Sequence, residues 1–161
     1  MSVINCELQI VDRKPSVFIP KKSDFHKWLE AVLLSRSTGK KEITIRLVDK
    51  IESQILNFRY RNKNQPTNIL SFSFFNQHQP FFKKNTTKSL LGDLVICSTL
   101  IEEEAREQQK SLKSHWAHIV IHGTLHLLGY NHQNNNDAKH MELIETNIML
   151  ALGYLDPYVI M

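Results

Sequence analysis

The chain has 161 residues, 42% of them apolar and 22% charged, with a formal net charge of +4. Such a length suits one domain with a real hydrophobic core, and the composition excludes a disordered chain. The modest basic excess permits a polyanionic partner without establishing one.

In chain order, residues 3–12 alternate polar and apolar side chains and read as a half-buried strand. The same stretch lacks the apolar core of a signal peptide, and no later apolar run is long enough to span a bilayer, so the expected location is cytoplasmic. Pro15 and Pro20 punctuate the following loop. Residues 23–35 place Phe25, Trp28, Leu29, Val32 and Leu33 on one helical face, with Ser23 or Asp24 as the expected cap. The β-branched stretch 43–49 predicts a strand. Asp49 with Glu52 resembles a capping box opening a short helix over 50–59.

Residues 68–75 predict the next strand, 76–90 a polar loop, and 91–97 a fourth strand. Thr99 with Glu102 predicts the start of a charged helix over 99–110. A long helix over 112–128 ends at Gly129, and an amphipathic helix covers 137–152. Cys6 and Cys97 fall in strands and are too few for a disulfide framework, so they read as reduced, buried small hydrophobes. With no repeat and no linker composition, residues 1–161 are expected to form a single α+β domain. Its architecture is a mixed four-stranded sheet packed with about five helices. The strands at 68–75 and 91–97 could be neighbours; their direction does not follow from the residues.

Eight histidines are many for this length, and six lie between 115 and 140. His122 and His126 stand four apart, which on a helix puts their Cβ atoms about 5–6 Å apart on one face. Gly129 suits a left-handed helix terminator that turns the chain and lets His132 approach from another side. Three imidazoles and one open position are the arrangement of a catalytic metal, not a closed structural one. A competing set, His118 with His122 and His126, spans about 12 Å of helix axis, too far for one ion with bonds of about 2.0–2.1 Å. His115 and His118 share the helical stripe. They could contact substrate, transfer a proton or support the ligands, or could be satisfied structural histidines.

The spacing His122-x3-His126-x2-Gly129-x2-His132 matches that of the metzincin peptidases, whose glutamate after the first histidine is the general base. Here Gly123 holds that position and cannot accept a proton. Met141 resembles the methionine of the peptidase turn, but a lone methionine in an amphipathic helix is more often core.

The segment resembles instead the signature of the YbeY family of ribosomal RNA maturation factors. Residues 57–72 (NFRYRNKNQPTNILSF), Leu91-Gly-Asp-Leu-Val-Ile-Cys97, His115-Trp-Ala-His118, Glu145-Thr146, Leu152-Gly-Tyr154 and Asp156-Pro-Tyr158 resemble the rest of that family's pattern, over about 43 to 158. The resemblance implies a zinc-dependent endoribonuclease acting on single-stranded or ribosomal RNA, with ribosomal or ribosome-assembly proteins as partners. It implies metal ligands at His122, His126 and His132 and a functional arginine at Arg61. Asn131 stands where the family usually has aspartate, which removes a charge beside the metal but no ligand.

The chemistry suits the residues. RNA cleavage builds charge on phosphate oxygens, which a Lewis-acid metal can stabilise while lowering the pKa of water. A guanidinium can clamp the phosphate bidentately. Two other readings are a non-catalytic ribosome-associated factor with a structural metal, and a metal-dependent hydrolase of another substrate such as a peptide.

Phe81, Phe82, Lys83, Lys84 and Lys88 could stack bases and hold phosphates, or form a solvated linker over buried phenylalanines. Ser71 and Asn68 could border the cleft. Glu102, Glu103 and Glu104 read as a solvated helix face.

Overall fold

Runs of β-branched residues and stripes at helical spacing become strands and helices close to the expected bounds. The computed structural model describes residues 4–15, 18–37, 39–73 and 90–159. Their order is β1 (Ile4–Ile10), α1 (Lys22–Leu33), β2 (Lys41–Val48), α2 (Lys50–Arg61), β3 (Ile69–Ser73), β4 (Leu90–Cys97), α3 (Ser98–Glu107), α4 (Leu112–Leu127) and α5 (Asn135–Ala151). The expected loop at 76–90 and its Phe81–Lys88 stretch lie outside the described residues, except that Leu90 already belongs to β4.

The strands form a mixed sheet in the order β1-β2-β4-β3. β1 and β4 both run parallel to β2, while β3 runs antiparallel to β4. Parallel neighbours need a crossover, supplied for β1 and β2 by α1. Ile43, Ile45, Leu47, Leu94 and Ile96 on one face pack with Phe25 and Trp28 of α1 and Trp116 and Val120 of α4. The opposite face sets Val48, Leu70, Phe72 and Val95 against Leu56 and Tyr60 of α2. Covered on both sides, β4 is buried along its whole length, and apart from Gly92 and the buried Asp93 it is an apolar run, as central strands are. Phe25 meets Trp28 and Trp116 edge-to-face at 5.8 and 5.7 Å between ring centroids, a geometry set by the ring quadrupoles.

Asp49 caps α2 as expected, accepting from the Glu52 N–H at 2.8 Å. Two other caps differ from expectation. α1 starts at Lys22 with Lys21 in the capping position, and Asp24 works from inside the first turn by accepting the Lys21 N–H at 3.0 Å. α3 opens at Ser98 directly from β4, so Cys97 stands at the cap, with no side-chain cap bond, and Thr99 is already helical. Cys6 and Cys97 are free and buried, as the residues imply. Met141 is core, at 1% exposure.

Two features aim α4 at the site. Ten of its 16 residues are buried, which leaves a narrow open stripe that carries His118, His122 and His126. Gly123 lets the helix approach β3: a Cβ there would stand 2.4 Å from Ile69 Cδ1 and 3.1 Å from Ser71 Oγ. The Ser71 hydroxyl uses that closeness to donate to the Gly123 carbonyl at 3.0 Å. Position 123 therefore faces the sheet, where a glutamate has no room.

Candidate metal centre and cleft

α4 ends in a left-handed terminator. Tyr130 N–H donates to Leu125 O at 3.1 Å and Gly129 N–H to His126 O at 3.0 Å, with Gly129 at φ 100°. This paired bonding satisfies the last carbonyls and reverses the chain at a residue without a Cβ. The reversal brings His132 back to the helix. Each of His122, His126 and His132 offers one nitrogen, and these nitrogens all lie within 4.8 Å of one another. The Nε2 atoms of His122 and His126 are 3.1 Å apart. Two nitrogens bound tetrahedrally at about 2.0–2.1 Å stand about 3.3–3.4 Å apart, so the donor set fits a single ion. Burial, with His122 and His132 beside it, lowers His126 to about 4, so the ring is neutral and its lone pair available near neutral pH.

The carboxylate that organises these rings was not among the expected site residues. Glu145, 1% exposed on α5, accepts on Oε1 from His122 Nδ1–H and from His118 Nε2–H, each at 2.9 Å. Its Oε2 accepts from the Tyr158 hydroxyl at 2.8 Å. Burial pushes the carboxyl up, but the hydrogen bonds from His118 and His122 prevail and hold it at about 2. Fixing the proton on Nδ1 of His122 leaves Nε2 as the free ligand atom, the usual outer support of a metal histidine.

His118 therefore sits behind the triad and not in it, and burial lowers its pKa. His115 is further away, buried at 3% and bonded to Glu104 Oε1 at 2.9 Å. Glu104 also accepts from Asn68 Nδ2 at 3.0 Å. It braces α3, α4 and the start of β3, so it is not the solvated acid expected of it. The neighbouring Glu103 pairs with Lys50 at 2.7 Å.

Arg61 closes α2, with Asn62 in the left-handed conformation after it. Its Nη2 donates to the Ser71 carbonyl at 2.8 Å, and its guanidinium carbon lies 5.2 Å from the centre of the Phe72 ring. Both contacts hold the side chain on the wall of a cleft of about 690 Å³ that also takes in Lys63, Asn68, Ser71 and the three candidate ligands. Asn131 is exposed, and its Oδ1 accepts the Gln133 N–H at 3.3 Å, so it supports the turn that carries His132.

An α+β fold with a three-histidine cluster at the base of a cationic cleft defines a protein with a candidate metal centre. The family model described as endoribonuclease YbeY matches residues 10–153, and the chain belongs to that family. RNA is accordingly the substrate class. The chain is also similar to the solution structure of TM1509 from Thermotoga maritima, at 24% identity over 88% of this chain and 86% of that one, with a TM-score of 0.54. At that identity the likeness is one of fold. No described helix is long and apolar enough to cross a membrane.

Proposed function

We propose that this protein is a single-strand-specific, zinc-dependent endoribonuclease of ribosomal RNA processing. Its role is in maturing the small-subunit (16S) RNA 3′ end and in ribosome quality control, in the cytoplasm and beside ribosomal or ribosome-assembly proteins. The observation that carries the reading is that Arg61 and the three-histidine cluster open into one cleft in a chain of an endoribonuclease family.

His122, His126 and His132 would hold the metal, and three imidazoles with an open position suit zinc, as they also suit nickel, copper or iron. When bound, the metal supplies Lewis-acid stabilisation of charge developing on phosphate oxygens. Glu145, itself held by His118 and Tyr158, fixes the His122 ring before substrate arrives. Arg61, anchored on the carbonyls of Tyr60 and Ser71, directs its remaining N–H groups at the phosphate and stabilises the charge that grows there.

The test is cleavage of single-stranded RNA by purified protein of known metal content. Wild type is expected to cut and Arg61→Glu to keep its metal but lose activity. Full activity in Arg61→Glu removes the arginine from the mechanism.

A further inference from the structure

β3 ends the sheet, with β4 as its one partner strand among the described residues. In an antiparallel pair, alternate residues turn their backbone N–H and C=O toward the partner and those between turn theirs away. Asn68 C=O accepts from Cys97 N–H at 2.9 Å, which sets the phase. With Ile69 opposite Ile96, Leu70 and Phe72 face β4, and Ile69 and Ser71 present their backbone groups to the open side. Both residues line the cleft that holds the histidines.

An open strand edge is ordinarily a template for another strand, which requires donors and acceptors in alternation. Arg61 breaks that alternation, because its guanidinium already occupies the Ser71 carbonyl at 2.8 Å. What faces the cleft is then rich in donors: the N–H groups of Ile69 and Ser71, the unused N–H groups of Arg61, and the exposed Lys63, against the single carbonyl of Ile69. Such an edge suits an anionic chain and not a peptide.

We propose that the open edge of β3 is a phosphate track, on which Ile69 N–H, Ser71 N–H and Arg61 hold the phosphodiester backbone of a single strand beside the histidines. The proposal rests on the endoribonuclease reading. The two N–H groups are two residues apart, about 6.6–6.8 Å along a strand, so they serve separate phosphate oxygens and not one small anion. Backbone donors read no base, so the track positions the strand without selecting its sequence.

The test is binding of a fluorescein-labelled single-stranded 2′-O-methyl oligoribonucleotide to the full metal-loaded chain, followed by anisotropy and by amide NMR. Ser71→Pro deletes the outward N–H at an edge position where proline is tolerated. Ser71→Ala keeps the N–H and loses only the hydroxyl bond to Gly123. Affinity is expected to fall at least about tenfold in Ser71→Pro and to stay within about threefold in Ser71→Ala, both with full metal content. In wild type, which needs no variant to fold, the Ile69 and Ser71 amide resonances are expected to move on binding. Oligonucleotide bound with those amides unmoved overturns the track and leaves the endoribonuclease reading standing. Absence of any binding by wild type overturns both. Amides that respond to an extended peptide and not to the oligonucleotide identify a strand-addition site instead.

Discussion

Glu145 shows how much of a site one acid can organise. It accepts from His118, His122 and Tyr158 at once, so its loss leaves three donors without their acceptor. Glu145→Ala is expected to weaken metal binding about 10–100-fold, read by competition with a chelator; unchanged affinity would show that His122 orients itself. Arg61→Lys keeps the charge but not the planar fork that spans Ser71 and the cleft, and is expected to lower cleavage about 100-fold at full metal content. Near wild-type rates in that variant would reduce Arg61 to a point charge.

The sign of the pH dependence follows from the direction of each shift. His126 lies at about 4 against an ordinary 6.5, so the unfolded chain takes up a proton that the folded one refuses. That contribution to the metal-free protein is present above about 6.5 and is lost as pH falls through about 4. Glu145, at about 2 against 4.5, adds stability that is present above 4.5 and lost toward 2. The melting temperature of metal-free protein should therefore decline as pH drops below about 6.5. A flat profile over that range contradicts the depressed His126. At this scale the clustering of the three histidines was legible because their spacing is local. Glu145 was not: an acid on an amphipathic helix looks solvated until the fold brings α5 against α4. Glu104 was hidden for the same reason among its acidic neighbours.

Among the elements, the contact of α4 with β3 sets the width of the cleft. Gly123→Ala forces a Cβ to within 2.4 Å of Ile69 Cδ1 and 3.0 Å of Leu94 Cδ2. Overpacking of this kind costs about 1–3 kcal/mol, offset by about 1 kcal/mol of better helix propensity. A net loss of order 1 kcal/mol in urea denaturation is expected; a stabilised variant would mean that the two elements do not touch as described. Helix bodies and strand cores were readable because periodicity reports which face is buried. Starts were less so. Asp49 accepts the Glu52 N–H as expected, but the Glu52 side chain pairs with Arg46 and does not close the box, and Thr99 lost the capping place because β4 passes into α3 without a turn.

For the whole molecule, four strands and five helices could be counted from the residues, and the adjacency of β3 and β4 anticipated. Sheet order and strand direction could not, since they depend on contacts between distant segments and not on any local pattern. β4 takes β2 on one side and β3 on the other, which leaves β3 at the edge among the described residues, and that edge forms one wall of the cleft. The central claim is that one metal on three histidines and one arginine share a single RNA-cleaving cleft. Its most direct test is cleavage of single-stranded RNA by highly purified protein with metal quantified, beside His126→Ala and Arg61→Glu. The expected result is that wild type holds one metal and cuts, His126→Ala loses metal and activity together, and Arg61→Glu loses activity alone. Equal cleavage by all three, or a metal-loaded wild type that does not cut, contradicts the account.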